Sequence, residues 1–123
     1  MIKPSAICLS AVGFLASASG ALSQHRLVIV IGRPDDPLFV RQNEDLAQKS
    51  AALKERDVVV QTLAPDDARN ARPELRVPPQ AAFEVLLVGK DGGVKLRSDK
   101  PVAASEIAAL IDTMPMRQQE MKR

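Results

Sequence analysis

Leu27-Val28-Ile29-Val30-Ile31-Gly32-Arg33-Pro34-Asp35-Asp36-Pro37 is the stretch on which the fold turns. Its first five residues are apolar without a break, too short for a helix and suited to a strand buried on both faces. Gly32 ends the run. Asp36 is a good helix N-cap, because a carboxylate accepts hydrogen bonds from the open N–H groups of a first turn. Pro37 suits the first helical position, where a missing N–H costs nothing. A helix is therefore predicted from Pro37 to about Glu55. Its apolar face is drawn from Phe39, Leu46 and Leu53, with Val40 and Ala47 beside them, and Arg41, Glu44, Lys49 and Lys54 lie opposite. Asp57 breaks the helix and Val58 to Leu63 reads as a second strand. Strand, helix and strand in that order make a right-handed crossover with the two strands parallel.

Downstream the pattern changes. Ala64 to Gln80 carries Pro65, Pro73, Pro78 and Pro79, and allows a short helix over Asp67 to Leu75 that Pro73 keeps short. Phe83 to Val88 is a third strand, apolar almost throughout and so central. Lys90-Asp91-Gly92-Gly93 is a hairpin signal, since glycine adopts the positive φ angles of tight turns. Val94 to Arg97 is the return strand, with Val94 and Leu96 on one face and Lys95 and Arg97 on the other, as suits a sheet edge. Ile107, Leu110, Ile111 and Met114 stand at helical spacing until Pro115 stops or kinks the helix, leaving a polar tail from Met116 to Arg123. The third strand runs antiparallel to the first. The hairpin turn and Met114 to Arg117 are thus expected together, at the end of the sheet opposite the Gly32–Pro37 loop, with Arg97 to Asp99 nearer that loop.

The chain before the first strand reads as a secretory leader: Lys3 gives the positive start, Ala6 to Ala16 is mostly apolar, and small residues follow. Ala16-Ser17-Ala18 and Ala21-Leu22-Ser23 both fit a cleavage site, and the second places the first strand directly after the cut, with Gln24 as the new N-terminus. The alternative, a retained anchor, has an apolar run well short of the roughly 20 residues that cross a bilayer. The expected organisation is a signal peptide over 1–23 and one domain over 24–123, without a membrane span after removal. The single cysteine, Cys8, leaves with the leader. The mature protein would then be periplasmic or secreted and carry no thiol, which excludes thiol nucleophiles, disulfide exchange and cysteine metal sites. The chain has 17 Lys and Arg against 15 Asp and Glu, and losing Lys3 takes the net charge from +2 to +1. That balance gives no whole-domain attraction to nucleic acid or anionic lipid. With no Trp or Tyr, and Phe39 and Phe83 alone beyond the leader, base-stacking platforms are excluded as well.

A βαβ unit followed by a β-hairpin and a C-terminal helix is the core order of the thioredoxin-like fold, an α/β class with a mixed four-stranded sheet. Two stretches carry a more specific resemblance: Phe83-Glu84-Val85-Leu86-Leu87-Val88-Gly89-Lys90-Asp91-Gly92-Gly93-Val94-Lys95-Leu96-Arg97-Ser98 and Ile111-Asp112-Thr113-Met114-Pro115-Met116-Arg117-Gln118-Gln119-Glu120-Met121. They resemble a family of bacterial exported domains of unknown function, similar to domains in the vertebrate extracellular proteins equarin and the sushi-repeat proteins (the P-DUDES group). The resemblance implies a thioredoxin-like, distantly peroxiredoxin-like fold and no established activity. The chain departs from the family pattern at the start of the last helix, where Ala103-Ala104 replaces a Ser-Leu-type opening, so Ser105 or Asp99 is expected to cap it.

In such a fold the redox cysteines occupy the loop between the first strand and first helix. Here that loop holds Asp35 and Asp36. They read as capping residues that also favour the helix dipole. The alternative is a carboxylate-lined site that binds a cation together with Asp66 or Asp67. Pro78 and Pro79 stand near the place where thioredoxin relatives keep a cis-proline, and either a cis bond or a plain rigid turn fits there. His25 reads as a solvated residue beside the cleavage site rather than a copper ligand, since one imidazole makes no metal site without partners. Lys90, Lys95, Arg97, Lys100 and Arg117 cluster near the family motif. They read either as charges that discourage strand pairing or as a partner surface anchored by Arg97 and Arg117. The expected function is a binding or envelope-interaction module without a cofactor, meeting a protein partner in the periplasm or extracellular space. The alternatives are a cysteine-independent enzyme or antioxidant-type protein using the Asp35/Asp36 loop, and a structural or stress-related envelope protein.

Overall fold

A computed structural model describes residues 24–122. The leader, Cys8 and both cleavage points lie outside the described residues. The chain forms β1 (Arg26–Ile31), α1 (Pro37–Gln48), α2 (Ser50–Glu55), β2 (Val58–Leu63), α3 (Pro65–Ala71), a 3-10 turn (Pro73–Leu75), β3 (Glu84–Val88), β4 (Val94–Ser98), α4 (Ala104–Asp112) and α5 (Pro115–Met121). The strands make one four-stranded sheet in the order β2-β1-β3-β4. β1 and β2 are parallel, with Val28 opposite Val60, whereas β1–β3 and β3–β4 are antiparallel.

The two central strands are apolar on both faces because each face has a cover. On one, Val28, Val30, Val85 and Leu87 pack with Leu46 and Leu53 from α1 and α2 and with Ala104, Ile107 and Ile111 from α4. On the other, Ile29, Ile31, Leu86 and Val88 meet Ala68 of α3, Leu75 and Val77. Fully burying a side chain such as Ile107 contributes about 1.5–3 kcal/mol, so these two layers hold the domain together. Gly32 lets the β1–α1 loop close over Phe39: a Cβ there would stand 2.8 Å from the Phe39 ring. Gly92 takes φ +84° in the hairpin turn, a conformation glycine adopts without strain.

Several local expectations change. The helix from Pro37 is two helices, broken at Lys49 (φ −107°, ψ 23°), and Val40 and Ala47 are exposed rather than packed. Gln42 takes the buried position instead; its amide donates to the Val102 carbonyl at 2.9 Å and accepts from the Val102 N–H at 2.7 Å. The helix expected from Asp67 starts at Pro65, which supplies a first position without an N–H, and Pro73 confines the following residues to a 3-10 turn. Neither Ser105 nor Asp99 caps α4: Asp45 on α1 accepts from the Ala104 N–H at 2.6 Å, so the cap comes from a neighbouring helix. Pro115 opens a new helix, so the tail is α5 rather than a polar extension. Every peptide bond among the described residues is trans, those at Pro78 and Pro79 included.

Candidate functional site

The C-terminal ends of β1 and β2 open into a cleft of about 730 Å³ whose lining includes Arg33, Asp35, Ala64, Asp66, Arg69 and Gln80. Parallel strands bring the Gly32–Asp36 loop and the start of α3 to the same end of the sheet, so Asp35 and Asp66 share this cleft. Asp36 is the N-cap of α1, its Oδ1 accepting from the Leu38 N–H at 2.9 Å. Asp35 is exposed and stands 3.9 Å from Arg33. Asp66 accepts from Arg69 at 3.1 Å. The Arg69 guanidinium also donates to the carbonyls of Pro78 (2.9 and 3.1 Å) and Ala81 (2.7 Å), which fixes the wall formed by residues 78–82. Sequence reasoning missed Arg69; the available signal was its helical spacing from Asp66. Among the described residues no three His, Cys, Asp or Glu side chains converge as a metal cage. With each wall carboxylate beside an arginine or a helix N-terminus, the cleft is built to present paired charges and backbone groups over a fixed loop.

The basic residues do not form one surface. Lys90 and Arg117 lie at the opposite end of the sheet, inside a network of charges. Arg26, 1% exposed, opens β1 and donates to Glu120 of α5 at 3.1 and 3.2 Å and to the Arg56 carbonyl at 2.8 Å. Lys90 donates to Glu120 at 2.7 Å and to Asp57 at 2.8 Å. Arg117 donates to Asp112 at 3.1 Å, and Arg56 holds the same carboxylate at 2.9 and 3.0 Å. Burial pushes the Glu120 carboxyl up, but hydrogen bonds and charge from Arg26 and Lys90 outweigh it and hold the group below its ordinary range. The Arg56 hydrogen bond, helped by Arg117 against burial, does the same for Asp112. Burial lowers the Lys90 ammonium, and Asp57 and Glu120 together raise it above its ordinary value.

Lys95 and Arg97 stand apart from this network. Lys95 pairs with Asp91 across the hairpin turn at 2.8 Å, and that bond with the Gly93 N–H holds the Asp91 carboxyl below its usual range. Arg97 donates to the buried Glu84 at 2.8 and 3.0 Å and to the Leu75 carbonyl, joining β4 to β3 and to the 3-10 turn. The Lys100 N–H is held by the Ser98 hydroxyl at 3.0 Å. His25 lines a groove beside β2, away from the cleft. No helix among the described residues is long and apolar enough to cross a membrane.

The family model for a domain of unknown function, DUF4174, matches residues 19–120. No curated protein matches. Among solved structures, thioredoxin-2, described as a component of malaria parasite protein secretion machinery, aligns with a TM-score of 0.59 and 13% identity over 73% of this chain and 84% of its own. Chloroplastic thioredoxin z aligns at 0.57 and 19% over 74% and 81%, and Trxlp from Edwardsiella tarda at 0.54 and 24% over 78% and 86%. These likenesses show the thioredoxin fold. The cleft thus occupies the end of the sheet at which that fold carries its redox loop, and here the loop reads Pro34-Asp35-Asp36-Pro37.

Proposed function

The chain belongs to the DUF4174 family, a domain of unknown function with the thioredoxin fold, and we propose that it is an exported domain that binds a protein partner in its open cleft without thiol chemistry. The observation that carries this reading is the state of the loop end of the sheet. Among the described residues no thiol stands there, Asp36 is occupied by helix capping, and Arg69 braces residues 78–82 through three carbonyl bonds, so the cleft keeps its shape. A braced, charged, concave wall suits recognition, because binding then orders little of the protein itself. The leader pattern supports a periplasmic or extracellular site of action, as does the resemblance of the hairpin and C-terminal motifs to domains of equarin and the sushi-repeat proteins. A cysteine-independent enzyme at Asp35/Asp36 is not favoured: one carboxylate caps a helix and the other is solvent-exposed beside Arg33.

The test is site-specific photo-crosslinking in the intact producing cell. A photoreactive residue at Asp35 is expected to give discrete protein adducts outside the cytoplasm, and Arg33→Glu is expected to abolish them. The same probe at exposed Ala109 on α4 serves as control. Equal adducts from both positions, or none from Asp35, overturns the reading. Intact mass of the exported chain tests the leader, with loss of residues 1–23 expected.

A further inference from the structure

The two edges of the sheet are treated differently. β4 carries Lys95 and Arg97 and pairs with β3 through a register shift between Leu87 and Val88, both of which discourage a further strand. β2 is the other edge. It reads Val58-Val59-Val60-Gln61-Thr62-Leu63, with no charge and no proline, and Val59 and Val60 are 42% and 39% exposed on opposite faces. Beside it the flank of α1 and α2 leaves an open groove of about 650 Å³ lined by Asn43, Ala47, Ser50, Lys54 and Val58 to Val60. A six-residue uncharged edge, four of its residues β-branched, without such protection is a template for another strand.

We propose that β2 pairs antiparallel with β2 of a second copy of this chain, about a two-fold axis at Val60. Val60 then meets itself, Val58 faces Thr62 of the partner copy on the helix-covered side, and Val59 faces Gln61 on the other. Val60–Val60 and Val58–Thr62 are β-branched cross-strand pairs, and Val59–Gln61 is a mixed pair in which the Gln61 amide oxygen accepts from Arg72 of its own chain at 3.1 Å; no two β2 side chains of like charge are opposed. The helix flank is complementary to itself under the same axis. At helical spacing it runs Asp36, Val40, Asn43, Ala47, Ser50, Lys54, acidic toward the C-terminal end of β2 and carrying Lys54 toward its N-terminal end, where His25 and Asp57 also line the groove and Asp57 is paired with Lys90 at 2.8 Å. Antiparallel copies therefore set Lys54 of each against the Asp36 end of the other, with small residues between. Lys54 enters no ion pair among the described residues, so its charge is available. An isologous contact of this kind closes at two copies and leaves both clefts open. The inference is independent of what the cleft binds.

The test uses the chain as the producing cell processes it. Sedimentation over a concentration series is expected to show a reversible dimer that weakens with salt. Val60→Lys, which opposes two like charges on the axis, is expected to weaken it about tenfold or more, with an unchanged circular dichroism spectrum. Val60→Cys provides a second measurement that survives poor folding of the lysine variant. Paired across the axis, the thiols fall within disulfide reach and mild oxidation gives a covalent dimer, whereas Lys95→Cys on the other edge gives none. A monomer at all concentrations, a dimer indifferent to Val60→Lys, or equal crosslinking from both cysteine variants overturns the proposal.

Discussion

Replacing Glu120 with alanine removes the one carboxylate shared by Arg26 and Lys90. Arg26 is 1% exposed and Lys90 has 11% of its side chain exposed, so water reaches neither freely. Breaking a buried pair by deleting one partner costs about 3–5 kcal/mol, because the remaining charge stays desolvated. Here two features reduce that figure. Arg26 keeps its bond to the Arg56 carbonyl at 2.8 Å, and Lys90 keeps Asp57, whose side chain is 46% exposed. A loss of about 2–4 kcal/mol follows from that partial compensation. Domains of this size change melting temperature by about 4–8 °C per kcal/mol, which gives a fall of roughly 8–32 °C. Thermal and urea unfolding followed by circular dichroism measure it. Lys95→Ala, which removes the exposed pair with Asp91, is expected to change stability by no more than about 1 kcal/mol. If Glu120→Ala melts within 3 °C of the parent (about 0.5 kcal/mol on the same scale), the network is not what secures α5 and the reasoning fails.

Acid should act through the same groups. Glu120 and Asp112 have folded-state carboxyls held below their ordinary values, so their stabilisation is present above the usual carboxylate range near pH 4 and is lost as pH falls through the lowered values. Glu120→Gln should flatten that acid arm of a stability–pH curve, and an unchanged arm contradicts the assignment. Lys90, raised, gives stability that is full below its ordinary value and lost only as strongly alkaline pH passes the raised one. Gln42→Leu leaves both the N–H and the carbonyl of Val102 without their partner and is expected to cost about 1–3 kcal/mol despite the better match to its apolar neighbours; urea midpoints decide. Asp45→Ala should cost about 1 kcal/mol and raise amide exchange in the first turn of α4, where a loss confined to α1 would contradict its capping role.

The sequence legibly encodes what local patterns control. An unbroken apolar run, an Asp-Pro helix start and a Gly-Gly turn each dictate backbone within a few residues, and β1, α1 and the hairpin stand where those signals put them. Legibility stops where the partner is distant. Arg26 and Glu120 are 94 positions apart, and nothing near either predicts the other. The same holds for the cap on α4, supplied by Asp45 from 59 positions away. Gln42 was recoverable in principle, since it falls at helical spacing between Phe39 and Leu46 on the apolar face. The break at Lys49 had no such signal: Gln48, Lys49 and Ser50 include neither glycine nor proline. At the cleft, the aspartates were visible in the sequence, whereas the bracing by Arg69 depends on carbonyls of a proline-rich loop that no periodicity describes.

The bond between Arg26 and Glu120 also sets an order of events. A chain made from its N-terminus presents β1 first and the last turn of α5 last. Until that turn arrives, the arginine opening the central strand has no carboxylate to close against, and the Lys90 turn lacks half of its anchoring. Partial chains should therefore stay loose, and the native state should be reached late and nearly at once. Under the export proposed above, such delay would be an advantage, because an early compact state would block passage through a membrane.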